Sequence, residues 1–205
     1  MALEKSLYTG SEFMILHVFT EEASLKNVFD VLLPKILPEN VSFHIHPHQG
    51  KRDLENALKD TIPSISKIPG ARILITIDQD ENDCIALKKR LTNLVSDTCA
   101  CNYRVRIICR ELESWFLGDL AAVEQAYHRF KASKYSNKSP FKAVDNIKKP
   151  SEQLRQLLPE YAKNISLPKL ETSKKIAAFM NVNNNKSTSF NHTIDAIKNL
   201  CSDNA

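Results

Sequence analysis

Arg72-Ile-Leu-Ile-Thr-Ile-Asp78-Gln-Asp80-Glu-Asn-Asp83 sets an apolar run of strand length directly before a cluster of acids. It reads as a buried strand that delivers carboxylates to its carboxyl end. Upstream, Phe13-Met-Ile-Leu-His-Val-Phe19 runs into Thr20-Glu21-Glu22 in the same way. Set side by side, two such strands bring Glu21, Asp78 and Asp80 together. Carboxylates crowded at one sheet edge repel one another and raise each other's pKa, unless a hard cation such as Mg2+ neutralises them. Residues i and i+2 of an extended backbone point the same way, so Asp78 and Asp80 are expected to reach one ion. The competing reading is an acidic loop that caps the next helix, with Asp83 near its N-cap position.

Around these two segments the first half alternates strands with amphipathic stretches. Leu25, Val28, Phe29, Leu32, Leu33 and Ile36 recur at helical spacing, with Pro34 and Pro38 marking the helix end. Val41 to His46 alternates like a short strand, and a second helix carries Leu54, Ala57 and Leu58 before Pro63 and the Pro69-Gly70 break. After the quoted strand, Cys84, Leu87, Leu91, Leu94 and Val95 share a helix face, and Tyr103 to Cys109 reads as a fourth strand. This order implies an α/β fold with a mostly parallel four-stranded sheet and helices on both faces, because parallel neighbours need crossover connections. Ligands in such folds sit at the carboxyl ends of the strands, where each acidic cluster falls.

The second half reads as helices from Trp115 to Tyr127, Glu152 to Leu158, Leu170 to Met180 and Phe190 to Cys201, with a lysine-rich connector from Lys131 to Pro150. Ser189 is the expected N-cap of the last helix. Residues 1–128 hold 14 Lys and Arg against 18 Asp and Glu, a balance of −4, whereas residues 129–205 hold 14 against 6, a balance of +8. The division expected is an acidic α/β domain over 1–128 and a basic helical extension over 129–205 packed on it. Acids to hold an ion and bases to hold phosphates suit an enzyme acting on a polyanion; a lysine-rich solvated surface explains the charge equally well.

Several classes are disfavoured. No apolar run approaches the roughly 20 residues that span a bilayer, and Met1-Ala-Leu-Glu-Lys lacks the features of a signal peptide, so no membrane role and a cytoplasmic location are expected. Five cysteines without zinc-site spacing read as reduced structural thiols. With four glycines and no Walker, GxGxxG or Gly-x-Ser-x-Gly sequence, the chain is not expected to be its own ATPase, a dinucleotide enzyme or an α/β-hydrolase. His44, His46 and His48 share a strand face and read as packing or hydrogen-bonding groups, with His48 and Lys51 as alternative phosphate contacts. Trp115 and Phe116 read as core anchors. Asn185-Lys186-Ser-Thr-Ser189 reads as a capped turn or a phosphate cradle.

An acidic residue after the first strand, followed two α/β units later by Asp-x-Asp at a strand end, resembles the TOPRIM arrangement of topoisomerases, primases and OLD-type nucleases. The chain is most similar to an uncharacterised bacterial family of small TOPRIM-like proteins, many encoded beside ABC-type ATPases in defence loci. The resemblance rests on Leu16 to Ser24, His46 to Lys51, Ile77 to Cys84, Arg110 to Asp119 and Asn185 to Phe190. It implies that Glu21 is the TOPRIM glutamate, that Asp78 and Asp80 bind Mg2+ or Mn2+, and that Glu111 or Glu113 adds a carboxylate. Glu22 stands where many TOPRIM proteins have glycine, which leaves open which of the two glutamates faces the ion.

The implied activity is metal-assisted hydrolysis of a DNA or RNA phosphodiester, with an ABC-type ATPase as partner in anti-phage defence. A cationic group then balances charge on the phosphate. Lys51, Lys169 and Lys175 are candidates, Lys169 foremost, and Lys186 is a further phosphate contact. The alternative is a non-catalytic binding or regulatory subunit of an ATPase complex. Convergence of Glu21, Asp78 and Asp80 favours the enzyme, and Lys or Arg side chains among the acids favour the binding module.

Overall fold

The computed structural model describes residues 13–202. Strands β1 (Met14–Thr20), β2 (Val41–Pro47), β3 (Ala71–Asp78) and β4 (Tyr103–Ile108) form one parallel sheet in the order β2-β1-β3-β4. The crossovers are α1 (Ala23–Ile36), α2 (Lys51–Ile65) and α3 (Cys84–Val95). The interior strands β1 and β3 are buried nearly throughout, as their continuous apolar runs require, whereas the edge strands carry the alternating His of β2 and Arg of β4.

The two faces of the sheet have separate cores. Phe19, Ile73, Ile75, Ile77, Val105 and Ile107 pack with Leu54, Leu58 and Ile62 of α2 and Leu87, Leu91 and Val95 of α3. The opposite face presents Leu16, Val18, Leu74 and Ile108 to α1 and to the helices that follow β4. Those are α4 (Glu113–Gly118), α5 (Leu120–Ala126), α6 (Pro150–Leu157), α7 (Lys169–Ala177) and α8 (Thr188–Leu200), and they share one continuous core with the sheet. Trp115 is its centre, edge-on to Phe29 and to Phe190, with its Nε1–H donated to Ser189 Oγ at 3.1 Å.

The topology fixes where a site can form. From β1 the chain steps outward to β2, then crosses back over β1 to β3, so the order reverses between β1 and β3 and the loops leaving these two strands diverge. That divergence opens a crevice at their carboxyl ends.

Local capping accounts for the departures from the expected helices. The stretch from Trp115 to Tyr127 is two helices, broken at Asp119, whose carboxylate accepts Ala122 N at 3.0 Å and Asn181 N at 2.9 Å. The N-cap of α8 is Ser187, which accepts Phe190 N at 3.1 Å, and Ser189 lies in the first turn with its amide donated to Asp145. Pro34 and Pro63 lie within the last turns of α1 and α2 instead of ending them. The lysine-rich connector winds through three short 3-10 turns pinned by buried Phe141 and Val144. Asp83 does cap α3, accepting Ala86 N at 2.7 Å. All five cysteines are free thiols. No helix among the described residues is long and apolar enough to cross a membrane.

Candidate functional site

The crevice between β1 and β3 is built from main-chain bonds first. Thr20 O accepts the His48 amide at 3.0 Å and lies 2.9 Å from His48 Nδ1, and Glu21 O accepts Gly50 N at 3.0 Å. These bonds fold the β2–α2 turn against the end of β1. From there Glu21 turns inward, and its Oε2 accepts the amide of Asp78 at 3.0 Å. Asp78 Oδ2 in turn accepts Leu112 N, at the start of α4, at 3.3 Å. One residue on, Glu113 is 1% exposed, and its Oε2 is screened from solvent without a hydrogen-bond partner.

Three buried acids therefore share one end of the sheet, and burial is the first cause of their shifts. It pushes Glu21 up to about 6, opposed by the Asp78 amide and Lys51. It pushes Glu113 up to about 7, opposed first by Lys169. Asp78 is held well above the ordinary carboxylate range by burial, then by the charges of Glu113 and Glu21. Lys169 opens α7 and places Nζ 3.3 and 3.4 Å from the two Glu22 oxygens. Burial pulls its ammonium down, but Glu113, Glu22 and Asp78 outweigh burial and hold it above its ordinary value. Glu21 faces the Asp78 side and Glu22 the Lys169 side, so the adjacent glutamates divide between two partners.

Asp80 stands differently from the expectation. The strand ends at Asp78, and Asp80 takes a left-handed backbone with φ of 50°, so the same-face geometry of residues i and i+2 stops short of it. Its amide is donated to Arg110 O at 2.7 Å, and its half-exposed carboxylate pairs with Lys51 Nζ at 2.6 Å. Asp80 still lies within electrostatic reach of Glu21. Arg110 is also left-handed, with φ of 61°, and its guanidinium donates to Asp80 O at 3.3 Å. Two such residues facing each other store backbone strain at the crevice.

The remaining candidates separate. Glu111 Oε2 accepts Ser151 N in the first turn of α6 at 2.8 Å, while Glu113 points into the centre; nothing in the sequence distinguished the two. Lys175 pairs with Glu171 at 2.6 Å over the ring of Tyr127, and Lys186 donates to Ser136 O at 3.1 Å, so neither joins these carboxylates. The Asn185–Ser189 turn is held by protein groups: Asn185 Nδ2 donates to Trp115 O, and Asp145 accepts Ser187 Oγ and Ser189 N. On β2, His46 stacks on Phe19 and lies 3.1 Å from His17 Nδ1, in a packed ring cluster.

Among the described residues no three His, Cys, Asp or Glu side chains are drawn together as a ready ligand set. Lys51 and Lys169 stand among the acids instead. An open cavity of about 240 Å³ adjoins Lys169, lined also by Ser151, Arg155, Ile165 and Ser166. The Glu22–Lys169 pair links residues 147 positions apart, and sequence spacing carries no signal of it.

No curated protein and no solved structure matches the chain. The model of the family described as Domain of unknown function (DUF4276) matches residues 20–198, from the last residue of β1 into α8 and across every carboxylate of the crevice. On that span the chain belongs to this family.

Proposed function

We propose that the chain is a TOPRIM-like, Mg2+-dependent phosphodiester hydrolase acting on nucleic acid. The observation that carries the reading is the buried, unpartnered Glu113 Oε2 beside Asp78 and Glu21 at the reversal of strand order. Three buried carboxyls, with Glu22 and Lys169 alongside, leave the acids in excess, and hard oxygen donors fit Mg2+ or Mn2+. Glu21, Asp78 and Glu113 would hold the ion, with Asp80 at the rim. When bound, such an ion supplies Lewis acidity at the phosphoryl oxygen and lowers the pKa of an attacking water.

The chain's own residues supply the rest. Lys169 stands at the acids with its ammonium fully charged and serves to balance charge on the phosphate. Lys51 and His48 border the opposite side of the crevice, where a nucleic-acid backbone passes over the end of the sheet. The excess of bases after residue 128 is compatible with a polyanionic substrate. An ABC-type ATPase partner and a role in anti-phage defence belong to this reading on the strength of the sequence resemblance.

A second reading is favoured by the ion pairs of Lys51 with Asp80 and Lys169 with Glu22, in which lysines act as built-in counter-ions. The protein is then a non-catalytic subunit that binds nucleic acid or the ATPase. Labelled DNA and RNA panels, incubated with Mg2+ or Mn2+ and the wild type, Asp78→Asn or Glu113→Gln, separate the two. Metal-dependent cutting lost in both variants establishes the hydrolase. Absence of cutting with the ATPase present leaves the binding module.

A further inference from the structure

β4 is the outer strand on the side away from β2. The carbonyls of Asn102 and Ile108 accept the amides of Ile73 and Gln79, so the even-numbered residues turn their backbone groups toward β3. Alternation then turns the N–H and C=O groups of Tyr103, Val105 and Ile107 outward. The Arg104 guanidinium takes the Tyr103 carbonyl at 2.9 Å, and no described strand lies beyond Val105 and Ile107.

This edge is bordered by a groove. A cavity of about 390 Å³ runs along residues 101–106 with Lys88 and Thr92 of α3, and a second of about 150 Å³ continues to Cys109 and His192 of α8. Both include Lys88, Val105 and Arg106, and no Asp or Glu lines either among the described residues. Arg106 Nε is screened from solvent and lacks a hydrogen-bond partner. Asp195 of α8 attracts this guanidinium without bonding to it.

We propose that the outer edge of β4 is a docking site for an extended acidic segment of a partner protein, which adds as a fifth strand and sets carboxylates on Arg104 and Arg106. Strand addition uses the outward backbone groups of Val105 and Ile107, and the side-chain charges select the sequence added. The same arginines guard the edge against a second copy, because pairing two β4 strands sets Arg104 and Arg106 against their counterparts. Phosphates of a nucleic acid would meet the charges but leave the strand's hydrogen-bonding alternation unused.

The test uses the full chain and a fluorescein-labelled decapeptide of alternating Glu and Val, read by fluorescence anisotropy. Controls are a Lys-Val repeat and a Glu-Val repeat N-methylated at alternate residues. The expected result is binding of the Glu-Val peptide alone, slowed hydrogen exchange at the Val105 and Ile107 amides, and affinity reduced at least tenfold by Arg104→Glu/Arg106→Glu. Arg104→Gln/Arg106→Gln, which keeps more of the native packing, should weaken binding at least threefold if the first variant fails to fold. No binding, equal binding of the N-methylated peptide, or competition by single-stranded DNA at equal concentration overturns the proposal. Concentration-dependent dimerisation lost in the Arg104→Gln/Arg106→Gln variant also overturns it, in favour of self-association.

Discussion

Glu21 Oε2 accepts the backbone amide of Asp78 at 3.0 Å, so the carboxylate leaving β1 is tied to the residue that ends β3. The bond spans the reversal of strand order and costs one oxygen of Glu21 its freedom. It also aligns Asp78 toward α4, where Leu112 N and Glu113 meet it. Positioning of the acids is thus a property of the sheet and not of a flexible loop.

In chelator, the contribution of Glu113 and Glu21 to stability should fall as pH rises from 5 to 8, while His46 and His17, both lowered by burial, oppose it up to the ordinary histidine value of 6.5. Glu113 is raised from 4.5 to about 7, so its contribution is fully present below its unfolded pKa and is lost as pH climbs through the folded value. Glu21, raised to about 6, acts in the same direction. Glu113→Gln should flatten the profile and be more stable than wild type at pH 8 by up to about 3 kcal/mol, taking about 1.4 kcal/mol per pKa unit. Urea denaturation at both pH values measures this, and parallel profiles for the two proteins would contradict it.

Loading the centre with Mg2+ should release protons. Glu21 and Glu113 titrate near 6 and 7, so at pH 6.5 part of their population is protonated and must ionise to hold a cation. Calorimetry in buffers of different ionisation enthalpy should show net release that vanishes, together with binding, in Asp78→Asn. Binding with no buffer dependence would place the ion elsewhere.

Lys169→Met should destabilise the protein by about 1–2 kcal/mol at pH 8, a figure reduced because the side chain is more than a third exposed, and by less at pH 5. Glu113→Gln in the same chain should recover part of the loss, because the acid that Lys169 compensates is then neutral. A double-mutant cycle supplies the coupling; additive effects would show that Lys169 does not act through Glu113.

Gly118→Ala should cost about 1–3 kcal/mol, the range for forcing atoms into a packed site. A Cβ at Gly118 would collide with Asn185 Oδ1, which accepts Ser187 N at 2.8 Å while its Nδ2 holds Trp115 O. The N-terminus of α8 would shift, and emission of the sole tryptophan should move with it through the Trp115–Ser189 bond. Unchanged stability and emission would show that the turn has room to move.

The legibility of this protein in its sequence divides along physical lines. The runs Ile73 to Ile77 and Leu16 to Phe19 are continuous because strands covered on both faces need apolar side chains on both, so interior parallel strands are readable from local composition. Amphipathic spacing places α1, α2 and α3, and Asp83 is where a helix cap belongs. The break at Asp119 is less readable, since Asn181, which helps set it, is distant in sequence.

The site divides in the same way. That Glu21 and Asp78 stand at strand ends is written in the local pattern of residues, because a strand terminates where its apolar run does. The burial of Glu113 while Glu111 caps α6, the turn of Asp80 to Lys51 and the reach of Lys169 to Glu22 arise from long-range packing. Burial and charge pairing depend on which distant segments occupy the same space, and a carboxylate's pKa is set by that company and not by its neighbours in the chain.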